Sequence, residues 1–204
     1  MGLFYLILCY IVGSIPFSVL IGKCFYKKDI RTVGSKNPGT TNVLRTCGKL
    51  GALAVFILDN LKGGIMLLIG KRLGINVFGF DNPLIFGGAA ILGHIYSIFL
   101  GFKGGKGAAT SLGVLFFYNP LLGLAGLTVF ILTLVITKYV SMGSMVTALF
   151  ALIVMIVKTI INPNLLIDCL LILLIVSLII IRHRSNIYRL IKHTENKFSF
   201  NKKK

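Results

Sequence analysis

Blocks of apolar residues run from about Leu3 to Gly22, Leu50 to Gly70, Leu84 to Leu100, Ala108 to Thr137 and Met142 to Ile181. A helix crossing a hydrocarbon core about 30 Å thick needs roughly 20 such residues, so this chain is built to lie in a bilayer. Composition agrees, because only 13% of the residues are charged and 56% are hydrophobic, whereas soluble domains carry about 25% charged residues. A soluble enzyme, a secreted disulfide scaffold, a zinc module and a transcription factor are all excluded on this ground. Cys9, Cys24, Cys47 and Cys169 stand far apart without C-x-x-C spacing and read as buried or lipid-facing thiols.

The last two blocks are too long for single helices. Asn119-Pro120 divides one and Asn162-Pro163-Asn164 the other, since proline cannot continue a helix. Seven segments result. Charge tests this count: of the 22 Lys and Arg residues, seven lie between Lys23 and Lys49 and eight from Arg182 to Lys204, with Lys103 and Lys106 marking a third basic loop. The bias of positive loops toward the cytoplasm places all three inside and Met1 outside, as a retained first helix with no positive region ahead of it. Three crossings then lead to Lys103, and four more return the chain inside at Arg182. The expected fold is an all-α integral membrane bundle of seven transmembrane helices, with the N-terminus outside and the C-terminus cytoplasmic. Residues 1–204 read as one domain. The helix from Ala108 to Tyr118 is short and requires protein or a wet cavity over its ends. The net charge of +17 mostly orients helices, and no nucleic-acid partner is implied. Lys202-Lys203-Lys204 reads as a solvated end attracted to anionic lipid.

Three polar clusters remain on the positive side. The first, Gly34 to Arg45, is dense in Gly, Ser, Asn and Thr, which suits a phosphate-binding nest at a helix start; the plainer alternative is a loop with Thr40 or Thr41 as N-cap. Arg45 lies one turn beyond Thr41 and offers a guanidinium fork to phosphate. The second runs from His94 through Gly101-Phe102-Lys103-Gly104-Gly105-Lys106-Gly107 to Ser111, where glycines admit close approach of an anion and lysines supply positive potential. It is not a Walker A loop, because Leu100 takes the first glycine position and Gly107 follows Lys106. His94 fits a packing role as well as a site role. In the third, Arg182 to Leu190, His183 and Asn186 are three apart and share a face of a continuing helix. Asp59 and Lys62, at i and i+3, read as a neutralising pair inside the bundle. Five acids in all leave little for a metal cage, and no metal or cofactor is implied.

In order and spacing these clusters resemble the three motifs of the bacterial acyl-phosphate:glycerol-3-phosphate acyltransferase family, the PlsY type. The resemblance implies transfer of an acyl group from acyl phosphate to the 1-hydroxyl of sn-glycerol 3-phosphate, forming lysophosphatidic acid and phosphate, the first acylation of phospholipid biosynthesis. It further implies a site at the cytoplasmic face of the bacterial inner membrane, and functional coupling to the enzyme that makes acyl phosphate. Residue by residue, Ser35, Thr41, Asn42 and Arg45 would serve the first motif's substrate site. Gly104, Gly105 and Lys106, beside Lys103, would form the phosphate loop, His183 and Asn186 would complete the pocket, and Glu195 would be a structural carboxylate. Lys36 stands where the family often has Gly, Thr40 where Ala is common, and His193 where Gly is usual. The chain has no His-x4-Asp pair, since Phe99 and Tyr188 follow His94 and His183 at that spacing. The proton acceptor is therefore His183 or a substrate phosphate oxygen. A transporter or channel for a small phosphate-bearing anion is the alternative; it would place its binding groups near the midplane, in repeated halves that this chain lacks.

Overall fold

The computed structural model describes residues 1–198, so the Lys202-Lys203-Lys204 tail lies outside the described residues. The fold is all-α, divided into two compact units, Met1–Pro120 and the residues from Leu121 onward. Among the described residues five stretches are long and apolar enough to span a membrane: Gly2–Tyr26, Lys49–Arg72, Pro120–Thr137, Val140–Ile161 and Pro163–Arg182. Two further apolar stretches, Leu84–Leu100 and Ala108–Tyr118, are shorter.

The first unit contains α1 (Gly2–Ser14), α2 (Phe17–Tyr26), α3 (Thr40–Cys47), α4 (Lys49–Arg72), α5 (Leu84–Ile95) and α6 (Ala108–Tyr118). The sequence suggests one unbroken first helix, but the chain breaks at Ile15-Pro16. Pro16 has no N–H and its ring would strike the preceding turn, and this local rule overrides the continuous apolar composition. Carbonyls freed by such a break are costly in an apolar interior unless another group donates to them. Here Ser97 Oγ donates to the Ser14 carbonyl at 2.6 Å and Lys62 Nζ to the Ile15 carbonyl at 2.9 Å. Small residues bring the helices close. A Cβ on Gly13 would collide with the Ala90 backbone of α5, and one on Gly113 with the Asn60 backbone of α4, as expected where packing rather than hydrophobic exclusion holds helices together.

The second unit contains α7 (Pro120–Thr137), α8 (Val140–Ile161), α9 (Leu166–Arg182) and α10 (Arg184–Ile191). Its breaks fall where Asn and Pro predict them. Pro120 opens α7, and a short 3-10 turn over Pro163–Leu165 separates α8 from α9, with Asn162 Oδ1 accepting from the Asn164 amide at 3.2 Å. The helices of this unit carry large exposed aliphatic side chains, Leu132, Ile136, Ile160 and Leu174 among them, a surface suited to lipid contact.

Candidate active site

The loop before α3 is organised by one side chain. Asn42 is buried, its Oδ1 accepts from the Ser35 amide at 2.9 Å, and its Nδ2 donates to the carbonyls of Ile30 at 2.9 Å and Val33 at 3.0 Å. Both amide hydrogens are thus spent on the loop, so Asn42 shapes the segment that presents Ser35. The turn it closes contains Gly34 at φ +61° and Lys36 at φ +59°. Neither threonine is the N-cap: that position belongs to Gly39, in extended conformation and without a side-chain cap bond. Thr41 lies in the first turn of α3 and half-buried Arg45 in its last.

The second loop folds back onto the end of α5. Gly101 and Phe102 both take left-handed backbone conformations and Phe102 N donates to the Ser97 carbonyl at 2.8 Å. Gly104 N then donates to the Ile95 carbonyl and Gly105 N to the His94 carbonyl, each at 3.0 Å. These bonds change the part expected of the two glycines. Their amide hydrogens are directed at protein, and their missing side chains allow close contact with α5: a Cβ on Gly104 would strike the His94 carbonyl, and one on Gly105 the His94 ring and the Pro38 carbonyl. The amides left for an anion are those of the first turn of α6, which have no intrahelical acceptor and follow Gly107 at φ +84°. Lys106, half-buried, immediately precedes that turn, and Lys103 is exposed beside it. Pro38 and Gly105 bring the first two clusters into contact within one unit.

The third cluster lies on the second unit. The helix expected to continue through His183 is interrupted there: α9 ends at Arg182, and α10 starts at Arg184 with the His183 carbonyl accepting from the Asn186 amide at 2.8 Å and the Ile187 amide at 2.9 Å. His183 and Asn186 remain joined, but as a cap and the turn it caps. The His183 ring is buried with Nδ1 2.8 Å from the Ile179 carbonyl, which can only accept, so Nδ1 carries the proton and Nε2 is the basic nitrogen of the neutral ring. Glu195 accepts from Asn186 Nδ2 at 2.7 Å, Arg189 Nε at 2.7 Å and Ser141 Oγ at 3.0 Å. Burial pushes its carboxyl up, but the hydrogen bonds from Asn186, Arg189 and Ser141, with the Arg189 charge, outweigh it and hold the pKa below the usual glutamate range.

The sequence profile of the glycerol-3-phosphate acyltransferase family matches residues 3–193. The chain belongs to this family. It is 46% identical over 197 residues to glycerol-3-phosphate acyltransferase 2 of Bacillus anthracis, covering 97% of this chain and 99% of that one. The glycerol-3-phosphate acyltransferase of Acholeplasma laidlawii is 41% identical, over 94% and 91% of the two chains. Among solved structures it is similar to PlsY (YgiH), an integral membrane glycerol 3-phosphate acyltransferase. The glycerol 3-phosphate form matches with a TM-score of 0.87 and 40% identity over 97% of this chain and 96% of that one. The lysophosphatidic acid form gives 0.84 and 38%, over 97% and 95%.

In this glycerol-3-phosphate acyltransferase family member the structure gives a physical setting for Lys36, Thr40 and His193. Lys36 and His193 lie at φ +59° and +55°, a region that costs an L-residue roughly 1–2 kcal/mol. Thr40 has a buried hydroxyl with no hydrogen bond among the described residues. Ser141 escaped the sequence reading. It lies 54 positions from Glu195, and nothing in its neighbourhood on α8 marks it.

Proposed function

We propose that this integral membrane acyltransferase moves a fatty acyl group from acyl phosphate to the 1-hydroxyl of sn-glycerol 3-phosphate, giving lysophosphatidic acid and phosphate. The observation that carries the reading is the meeting of the Ser35–Arg45 and Lys103–Lys106 segments at Pro38 and Gly105, in a chain matched to this family over residues 3–193. Each substrate bears a phosphate, and together these segments supply Arg45, Lys106, Lys103 and the first amides of α6, with Ser35 and Thr41 as hydroxyl partners. Gly104 and Gly105 serve by seating the loop, and Asn42 by shaping the segment that carries Ser35.

An acyl phosphate is a mixed anhydride. The glycerol hydroxyl oxygen forms a bond to the carbonyl carbon, the bond from that carbon to the phosphate oxygen breaks, and phosphate departs with the electron pair. The leaving group is good, so the rate rests on placing the hydroxyl and stabilising the charge on the departing phosphate. The hydroxyl proton passes to Nε2 of His183 or to a substrate phosphate oxygen. The Nδ1–Ile179 bond, which leaves Nε2 basic, supports the first choice, and Asn186 is retained as a participant through its coupling to His183. The chain acts as one polytopic enzyme of seven crossings in the bacterial inner membrane, with Met1 outside, the C-terminus and reaction in the cytoplasm, and supply of acyl phosphate from the enzyme that makes it. Purified protein given glycerol 3-phosphate with acyl phosphate or acyl-CoA tests the donor: product from acyl phosphate supports the proposal, and product from acyl-CoA alone refutes it.

A further inference from the structure

The reaction as proposed leaves a buried charged group unused. Asp59 and Lys62 on α4 have side chains only 2% and 3% exposed, with Nζ 2.7 Å from Oδ1, and His94 Nδ1 lies 3.6 Å from the same Asp59 oxygen. Lys62 also donates to the Ile15 carbonyl freed by Pro16 and stands over the Phe17 ring, 5.5 Å from its centroid. Ionisable groups inside a membrane unit are costly and call for partners. Asp59 and Lys62 neutralise each other, so charge balance accounts for two members of the group and leaves His94 unexplained.

His94 meets the glycine loop twice. Its carbonyl accepts from Gly105 N at 3.0 Å, and its ring nitrogen Nε2 closes the space that a Gly105 side chain would need. A small cavity lined by Ser18, Pro38, Asp59, Lys62, His94 and Gly105 adjoins the group and both loops. We infer that Asp59, Lys62 and His94 are positioning residues for the Gly104–Gly107 loop. Lys62, anchored at the helix break, fixes Asp59; Asp59 orients the His94 imidazole; the imidazole sets how closely Gly105, and with it Lys106 and the start of α6, approaches Pro38. The inference rests on the reading that this loop handles a substrate phosphate.

Steady-state kinetics and thermal unfolding of the full-length protein in detergent separate positioning from simple neutralisation. Asp59→Asn alone leaves the Lys62 ammonium buried without a counter-charge and lowers stability, whereas the double variant Asp59→Asn/Lys62→Met removes both charges and recovers it. If the group positions the loop, the recovered double variant still shows KM for a phosphate-bearing substrate raised about tenfold with kcat changed much less. His94→Ala shows the same split, and His94→Asn, which keeps a donor toward Asp59, regains most of the loss. A double variant with parental stability and parental KM overturns the inference, as does a parental KM in His94→Ala, which serves if the double variant fails to fold. Failure of the unmodified protein to form lysophosphatidic acid overturns the underlying reading and this inference with it.

Discussion

The amide of Gly105 donates to the carbonyl of His94 at 3.0 Å, and the same glycine leaves no room for a side chain against the His94 ring. Two elements of the first unit, the end of α5 and the loop leading to α6, are thereby locked together at the point where Pro38 arrives from the first cluster.

Gly105→Ala forces the loop away from His94 or Pro38. A shift of about 1 Å at positioned groups costs roughly 100-fold in rate, and a loss of that order in kcat/KM is expected while the protein still purifies as a folded species. Kinetics alongside thermal unfolding check this; parental kcat/KM would show that the spacing is immaterial.

Asn42→Ala deletes the three hydrogen bonds that hold Ile30, Val33 and Ser35. Of these groups the Ile30 carbonyl is buried, and leaving it unpaired costs about 1–3 kcal/mol; those of Val33 and Ser35 lie nearer solvent and cost less. The expected result is a lower Tm together with reduced turnover, measured by unfolding in detergent and by lysophosphatidic acid formation.

Lys36→Gly and His193→Gly relieve left-handed strain at φ +59° and +55°. Relief of roughly 1–2 kcal/mol is offset by the greater freedom glycine brings to the unfolded chain, about 0.4–1 kcal/mol. Each variant is expected to gain up to about 1.6 kcal/mol in stability, read from thermal unfolding.

Glu195 supplies a pH signature. Its folded pKa is depressed, so its stabilisation is fully present above the unfolded value of about 4.3 and is lost as pH falls through the lower folded value. Glu195→Gln keeps an acceptor for Asn186 but removes the charge facing Arg189. It is expected to lose about 2 kcal/mol at neutral pH and to show a flatter acid profile than the parent, both measured by unfolding across pH 3–7.

The parts of this structure legible in the sequence are those decided locally. Asn119-Pro120 and Asn162-Pro163-Asn164 end helices because proline acts on its own turn, and the separated units of helix follow. Asp59 and Lys62 pair because one helical turn brings them together. Pro16 obeys the same rule, yet its apolar neighbours masked the break, whose carbonyls are satisfied by Lys62 and Ser97 from far along the chain. Glycine density suggests close approach of an anion at Gly104 and Gly105, whereas the close contact in the structure is with the backbone and ring of His94, a partner that composition does not name. The interruption at His183 was hidden because its residues suit a helix on both sides. The bond from Ser141 to Glu195 depends on tertiary folding alone.

The most direct test of the account is product formation by the purified protein, reconstituted in lipid, from acyl phosphate and glycerol 3-phosphate, with Arg45→Ala and Lys106→Ala run beside it. The account predicts equimolar lysophosphatidic acid and phosphate from the parent and none from either variant, both of which insert normally. Retained activity in both variants, or product from acyl-CoA but not from acyl phosphate, would contradict it.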